Sequence, residues 1–268
     1  MDSSSAPSVF VAHGSPMLGI AAGEFGETLR RFAARHPRPA AIVIVSAHWE
    51  APAPIRVNAA PRPDLIYDFG GFPPALYELT YPAPGSPEFA DEALALLAQA
   101  GVAALREERR GWDHGVWIPL RLLYPKADVP VVEVSLPLPR EPETVLRMGA
   151  ALAPLRRRGA LILGSGGIVH NLRLARLDRE NGPVDQWARD FDEWVRDRIE
   201  RRDLRELARY RTRAPHADFA VPESEHFDPL LFAVGASHPG DDLEEIASGF
   251  QYANLSLASY AFAPNGKK

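Results

Sequence analysis

An apolar run that stops at a histidine constrains the fold of this chain most strongly. Residues 41–45 read Ala-Ile-Val-Ile-Val, and His48 follows after a serine and an alanine. A short continuous run of this kind, rich in β-branched residues, is typical of a parallel strand that is buried on both faces. Open α/β sheets bind their ligands outside the carboxyl ends of such strands. The sequence therefore predicts that His48 lies at the edge of the sheet where a ligand would bind.

Two other segments repeat this arrangement. Residues 8–12 read Ser-Val-Phe-Val-Ala and precede His13, whereas residues 160–164 read Ala-Leu-Ile-Leu-Gly and lead through a glycine-rich stretch to His170. Because parallel strands end at the same edge of a sheet, we expect these two histidines to lie near His48. A metal site is the interpretation that this arrangement favours. The alternative is a set of unrelated buried histidines that bond to the backbone.

The rest of the chain completes an α/β pattern. Apolar spacing and cap residues predict helices and further strands in the intervening segments. The helices are expected at residues 24–36, 86–101, 142–158 and within 182–210, and the strands at 129–136 and 255–262. The chain has 268 residues, 46% of them hydrophobic, which is enough to bury a large core. We expect a single α/β domain over residues 1–268, with a central mostly parallel sheet flanked by helices and the metal site at the carboxyl ends of its strands.

Composition restricts the possible partners and ligands. The formal net charge of −5 gives no sign of the basic surface that nucleic-acid binding requires. The chain has no cysteine, so a metal would be held by nitrogen and oxygen ligands. No apolar run is long enough to span a bilayer, and the first residues lack the pattern of a secretion signal. We expect a cytoplasmic protein with neither a membrane nor a nucleic-acid partner, and its oligomeric state is left open.

The long segment 52–87 is rich in proline, glycine and aromatic residues. Loops of this length inside a compact domain are uncommon and are often lids or binding loops. We expect the segment to cover the site, and a surface excursion pinned by its aromatic side chains is the alternative.

Two more histidines have distinctive neighbours. His114 lies in the sequence Gly-Trp-Asp-His-Gly, and His226 follows Glu225 shortly before an apolar stretch. Both join the candidates for a functional role. The other three histidines lie beside prolines or in polar loops, and we expect no function for them: His36, His216 and His238.

Seven short motifs occur in the order found in one known family. They are His13-Gly-Ser-Pro-Met17, Ser46-Ala-His48-Trp49, Asp68-Phe-Gly-Gly-Phe-Pro73, Tyr81-Pro-Ala-Pro-Gly-Ser-Pro87, Gly111-Trp-Asp-His114-Gly115, Val169-His170-Asn171-Leu172 and Glu225-His226. Together they resemble the class III extradiol ring-cleavage dioxygenases, in the branch called 4,5-DOPA dioxygenase extradiol. The resemblance extends from about His13 to the last predicted strand, which is nearly the whole chain.

The resemblance implies a set of metal ligands. His13 and His48 match positions that bind the metal. His226 matches a further ligand, and Glu225 is the alternative because related branches use a glutamate there. His170 resembles the histidine that closes the site, either as an additional ligand to a bound zinc or as an acid and base beside an iron.

The resemblance also implies residues that act on the substrate. His114 matches a second catalytic histidine, close to the substrate's oxygens. Asn171 is expected to orient its neighbour by a hydrogen bond. Three aromatic residues are expected to contact the substrate ring: Tyr67, Phe72 and Trp112.

The implied reaction is the opening of a catechol ring by O₂ at a non-haem Fe(II), with DOPA-type substrates as the expectation from the resemblance. A few imidazole or carboxylate ligands leave positions on the metal open for the catecholate and for O₂. A neutral imidazole can accept a catechol proton and return it later, which suits His170 or His114. Two alternatives remain. One is a zinc hydrolase that uses the same histidines, because zinc prefers nitrogen ligands and activates a bound water near neutral pH. The other is a non-catalytic binding module on the same fold. Fe(II) is expected in the active form, and Zn(II) is possible in the purified protein.

Overall fold

Residues 5–265 are described by the computed structural model, and they form an α/β fold around an eight-stranded sheet. The predicted domain also includes residues 1–4 and 266–268, which lie outside the described part of the chain. The strands are β1 (Ser8–Ala12), β2 (Ala41–Pro52), β3 (Ile55–Asn58), β4 (Ala104–Glu107), β5 (Val131–Leu138), β6 (Ala160–Gly166), β7 (Asp241–Ala247), β8 (Phe250–Gln251), β9 (Leu255–Ser256) and β10 (Ser259–Pro264). The helices are α1 (Gly23–Arg35), α2 (Pro74–Tyr77), α3 (Pro87–Gln99), α4 (His114–Leu123), α5 (Pro142–Leu152), α6 (Gln186–Glu200), α7 (Leu204–Ala208), α8 (Tyr210–Arg213), α9 (Ala217–Ala220) and α10 (Asp228–Gly235).

The centre of the sheet is parallel. Its strand order is β4-β3-β5-β2-β6-β1-β10-β7, and the four strands from β5 to β1 run in the same direction. Antiparallel pairing occurs where β3 meets β5 and where β10 joins β1 and β7. The pairing of β2 with β6 extends to Ser46 and Ser165, and that of β1 with β6 extends to Ala12 and Gly166. The carboxyl ends of β1, β6 and β2 are therefore neighbours, which confirms the predicted mostly parallel α/β architecture.

Both faces of the sheet are covered. In β2, Ile42 and Ile44 face the hydrophobic core that contains α1 and α4, whereas Val43 and Val45 face the core that contains α3, α5, α6 and α10. All four side chains are fully buried. A strand buried on both faces needs a continuous apolar sequence rather than an alternating one, which explains the run from which the fold was predicted. In the described part of the chain, no helix has the length and hydropathy needed to cross a bilayer.

Strand β2 does not stop at His48, as the sequence suggested, but continues to Pro52. Its register with β5 shifts between Val45 and Glu50. Val45 pairs with Val134 and Glu50 pairs with Leu136, so β2 advances five residues where β5 advances two. Irregularities of this kind bend a strand and redirect side chains, often beside an active site. The shift places His48 at the point where the regular ladder is interrupted.

Several predicted segments consist of two or more shorter helices or strands in the structure. The predicted loop 52–87 contains strand β3 and the short helix α2, and the predicted helical stretch 182–210 is split between α6, α7 and the start of α8. The predicted helix 142–158 ends at Leu152 and continues as a 3-10 helix. Strand β7, which was not predicted, reads Asp-Asp-Leu-Glu-Glu-Ile-Ala and lies at the edge of the sheet, where polar residues are compatible with a strand.

Glycines in β6 allow the segment before α10 to approach the sheet. A Cβ atom on Gly166 would lie 2.1 Å from the carbonyl oxygen of His226, and one on Gly164 would lie 1.9 Å from that of Pro229. The backbone N–H of Gly167 donates to the His226 carbonyl at 2.8 Å. This contact brings His226, which is distant in sequence, to the edge where β1 and β2 end.

Candidate metal centre and active site

Three histidines converge at the carboxyl edge of the sheet. Each of His13, His48 and His226 offers one nitrogen, and these nitrogens lie within 4.8 Å of one another. The Nε2 atoms of His13 and His48 are 3.3 Å apart. The structure therefore brings together three of the four histidines that were expected to bind the metal.

A serine fixes the His13 ring. The Ser165 hydroxyl donates its hydrogen to the carbonyl oxygen of Gly115, and the same Oγ lies 3.1 Å from Nδ1 of His13. Because the only hydroxyl hydrogen is already committed, Ser165 accepts from His13, and Nδ1 must carry the proton. The lone pair of His13 is then on Nε2, which faces His48.

Carboxylates fix the other two rings. His48 Nδ1 lies 3.5 Å from Asp68 Oδ2, and His226 Nδ1 lies 3.1 Å from Glu225 Oε1. An ionised carboxylate only accepts hydrogen bonds, so Nδ1 of His226 donates to Glu225 and its Nε2 carries a lone pair. The negative charge of Asp68 likewise favours a proton on Nδ1 of His48, which leaves the lone pair of that ring on Nε2. Nε2 of His226 is buried and has no hydrogen-bond partner.

This arrangement fits a bound metal ion. Three Nε2 lone pairs, each on a ring held from behind, converge without a donor between them, and a cation is the group that would satisfy all three. Imidazole ligands in metal sites are oriented in this way by a second partner on the other ring nitrogen. Imidazole suits iron and zinc alike, so the ligand set does not choose between them.

Burial keeps the three rings neutral. It lowers the pKa of His13 and of His226 well below the usual value, and neighbouring histidines lower both further. The pKa of His48 falls to about 4 because of burial and the nearby His114. At neutral pH all three imidazoles are therefore unprotonated at Nε2, which is the form that binds a metal.

The two candidates at the further ligand position have different surroundings. His226 belongs to the three-histidine group, whereas Glu225 lies behind its ring. The second oxygen of Glu225 is 3.7 Å from Arg140, which is held in turn by Glu50. The geometry favours His226 as the ligand and Glu225 as the residue that orients it.

His170 lies beside the three-histidine group but is not one of its members. Its ring stacks on that of His226, with 3.5 Å between the centroids and 8° between the planes. Burial, followed by the charges of His48 and His114, lowers its pKa to about 4. Asn171, which was expected to orient His170, instead donates from its amide to the carbonyl oxygen of Phe219 and accepts from two backbone N–H groups that follow it.

Asp68 is a functional residue that the sequence analysis missed. Its Oδ1 accepts the backbone N–H of His114 at 2.9 Å and lies 2.9 Å from His114 Nδ1, while its Oδ2 faces His48. Burial alone would raise the pKa of Asp68, but the bonds from His114 and the charges of the two histidines outweigh it and lower the pKa to about 2. The motif containing Asp68 was recognised, but its partners depend on the path of the loop.

The histidines open onto a cavity of about 390 Å³. Three of the predicted catalytic and substrate-binding residues line this cavity: His114, His170 and Phe72. Tyr67 and Trp112 do not, which corrects the expected positions of these two aromatic residues. The Tyr67 hydroxyl donates to the carbonyl oxygen of Leu79, and the Trp112 ring is fully buried with its N–H directed at the carbonyl oxygen of Ala83.

The remaining three histidines lie away from this group. His36 packs on Phe32 of helix α1, and His216 lies 3.4 Å from Asp190. The backbone N–H of His238 donates to Asp241. None of these three belongs to the three-histidine group.

Comparison with known proteins agrees with this geometry. Residues 7–263 match the LigB family, described as the catalytic LigB subunit of aromatic ring-opening dioxygenase. The chain belongs to this family. It is 38% identical over 264 residues to the 4,5-DOPA dioxygenase extradiol of Beta vulgaris, with 94% of this chain and 95% of that protein covered. It is 36% identical over 261 residues to the Escherichia coli K12 protein of the same name, with 97% of this chain and 95% of that protein covered.

A solved structure shares this fold. The crystal structure of the uncharacterized protein JW3007 from Escherichia coli K12 superposes with a TM-score of 0.82 at 29% identity, and covers 96% of this chain and 100% of that chain. As a LigB family member with several such relatives, the protein is an extradiol aromatic ring-opening dioxygenase. The family resemblance drawn from the seven motifs is thereby confirmed.

The role of Asp68 gives a first prediction for this LigB family protein. Asp68→Asn keeps the shape of the side chain but replaces one acceptor oxygen with a donor, so it removes an acceptor from either His48 or His114. We expect the affinity for Fe(II) or Zn(II) to fall about 10- to 100-fold, measured by competition with a chromogenic chelator. Asp64→Asn, an exposed change in the same loop, is the matched control and should leave the affinity unchanged. Equal affinities for the two variants would contradict the role given to Asp68.

The choice between His226 and Glu225 gives a second prediction. His226→Ala removes a proposed ligand, and we expect it to abolish stoichiometric metal binding. Glu225→Gln should still bind metal, with an affinity lowered no more than about 100-fold, because it only weakens the support of the ring. Glu223→Gln, which also changes a partner of Arg140, is the control. Loss of metal in Glu225→Gln together with full binding in His226→Ala would reverse the assignment.

Proposed function

We propose that this protein is an Fe(II)-dependent extradiol dioxygenase that opens the ring of a catechol, DOPA being one example, with O₂. The observation that carries the proposal is the set of three converging Nε2 lone pairs, on His13, His48 and His226, beside a cavity lined by two further histidines. In the reaction the carbon–carbon bond next to the two hydroxyls breaks and both oxygen atoms of O₂ enter the product. Fe(II), when bound, would hold the catecholate and O₂ side by side and supply the electron transfer between them.

The two further histidines supply proton transfer. His170 is neutral at pH 7 and lines the cavity, so it can accept a proton from a catechol hydroxyl and return it later. His114 also lines the cavity, and its Nδ1 lies 2.9 Å from Asp68 Oδ1, so the negative charge of the carboxylate favours a proton on Nδ1 and leaves Nε2 free to accept a hydrogen bond from a hydroxyl. The ring centroids of His48 and His114 are 4.0 Å apart, so His114 is a neighbour of the three-histidine group.

Aromatic side chains from the loop position the ring of the substrate. Phe69 and Phe72 both line the cavity and pack edge to face, with their centroids 5.5 Å apart. Phe69 also packs against His114 at 5.6 Å. The same packing excludes water from the reacting atoms. Tyr67 and Trp117 pack against Phe69, with ring centroids 6.1 and 6.2 Å away, and so support this wall.

The test is the uptake of oxygen by metal-free protein reconstituted without oxygen with either Fe(II) or Zn(II). We expect oxygen consumption and a yellow ring-opened product from simple catechols in the Fe(II) sample only, because Zn(II) has no accessible redox chemistry. Zinc-supported turnover of an ester or amide without oxygen uptake would instead favour a hydrolase. Absence of turnover in both samples, with the metal shown to be bound, would favour a binding role. The cytoplasmic location stays a prediction that fractionation of cells expressing the full chain would check.

A separate prediction concerns His170. Because the His170 ring lies against His226 but outside the three-histidine group, His170→Ala should retain bound iron while the turnover number falls about 100- to 10,000-fold, the usual contribution of a general acid or base. His216→Ala, a histidine away from the cavity, serves as the control. Iron content measured by metal analysis and turnover measured with the oxygen electrode together decide the role. Loss of the iron itself would make His170 a metal ligand.

A further inference from the structure

We propose that the cavity selects catechols whose ring substituent is uncharged and apolar over catechols that carry a carboxylate or an ammonium group. This inference rests on the proposed function and concerns the part of the substrate that does not react. The reacting end of the substrate lies at the histidines, so any substituent must contact the remaining walls of the cavity. Those walls are mostly apolar: Phe69, Phe72, Leu172, Leu177 and Leu255.

Charged groups that could recognise a charged substituent are missing from this wall. Among the described residues that line the cavity there is no lysine or arginine, and Asp68 is the one carboxylate. Both Asp68 oxygens already face histidines, with Oδ1 near His114 and Oδ2 near His48. An amino-acid substituent would therefore bring two charges into the cavity without a partner of opposite sign, which is costly when water is displaced.

Three arginines that contact the site or its surrounding segments are held by other partners. Arg110 donates to the carbonyl oxygen of His48 and to Asp113, and its guanidinium lies 4.7 Å from the centroid of the Trp49 ring. Arg140 is held by Glu50. Arg176, in the segment that carries Leu172 and Leu177, pairs with Asp185 at 2.7 Å. None of these three lines the cavity.

The mouth of the cavity offers apolar surface instead. Leu172 and Leu177 line it, and yet 56% and 64% of their surface is exposed to solvent. Large apolar side chains exposed at the rim of a pocket indicate a surface that a ligand covers. An alkyl or aryl substituent that reaches these leucines would remove their surface and its own from water, which favours binding.

The experiment compares catechols of matched shape and different charge. The series is 4-propylcatechol, dopamine and 3-(3,4-dihydroxyphenyl)propionate, whose side chains are nearly isosteric and end in a methyl, an ammonium and a carboxylate group, with DOPA as the zwitterion. Saturated carbons separate each charge from the ring, so the charge has little effect on the reactivity of the catechol itself. Differences in kcat/KM between these compounds therefore reflect mainly their contacts with the wall of the cavity. With Fe(II)-loaded protein, we expect kcat/KM for 4-propylcatechol to exceed that for each charged compound at least about tenfold.

A pair of variants tests the wall directly. Leu177→Arg introduces a cation at the rim and should raise kcat/KM for the propionate relative to 4-propylcatechol at least about fivefold, which corresponds to one new surface ion pair. Leu174→Arg is the matched control, because Leu174 is exposed in the same segment but does not line the cavity. This control should leave the ratio unchanged.

The outcomes separate this inference from the proposed function. Oxygen uptake that is equal or faster with the charged catechols would overturn the inference and leave the dioxygenase assignment intact, as would equal effects of the two leucine variants. Should no catechol support oxygen uptake, the proposed function fails. In that case the affinity of the same catechols for Zn(II)-loaded protein is measured by calorimetry without oxygen. An affinity for 4-propylcatechol that is no higher than that for the charged compounds would overturn the inference as well.

Discussion

The site depends on how the far side of each imidazole ring is held. Ser165 accepts a hydrogen bond from His13 and Glu225 accepts one from His226, while the Asp68 carboxylate lies 3.5 Å from Nδ1 of His48, so that each ring directs its lone pair inward. Without these acceptors a neutral imidazole could adopt either tautomer and several orientations, and convergence at one point would be lost. The geometry of the three-histidine group is thus set by two hydrogen bonds and one ion-pair contact made outside it, and the two carboxylates among these partners come from different parts of the chain.

The sheet supplies the frame on which these bonds are built. Strands β2, β6 and β1 are adjacent and parallel, so the residues that follow their regular ladders occupy one edge. The register shift in β2 turns His48 toward that edge, and the close approach at Gly166 admits the segment before α10. The site is therefore assembled from two strand ends, one irregular strand segment and one helix entry, each rigid for its own reason. Rigid support of this kind is what positions ligands precisely enough for a defined metal geometry.

Part of the fold and of the candidate site could be predicted from the sequence, and there are physical reasons why the rest could not. His13 and His48 were found because apolar runs identify buried strands, and the order of parallel strands then places their ends together. His226 could be assigned only through the family motifs, since nothing in its local sequence shows that a glycine in β6 lets it approach. The partners of Asp68 depend on the path of a long irregular loop, for which no periodic pattern exists. Trp112 was expected to contact the substrate ring, but its indole ring is fully buried and its N–H donates to the carbonyl oxygen of Ala83, a burial that its local sequence does not reveal.

One carboxylate that serves two histidines has a consequence for substitutions in its loop. Asp68 belongs to the loop between β3 and α3, whereas His48 and His114 belong to β2 and α4. The same contacts that hold the two rings therefore also tie the loop to the strand and the helix. A substitution that displaced the loop would remove the carboxylate from both rings at once, so a change far from the histidines in sequence could alter two of them together.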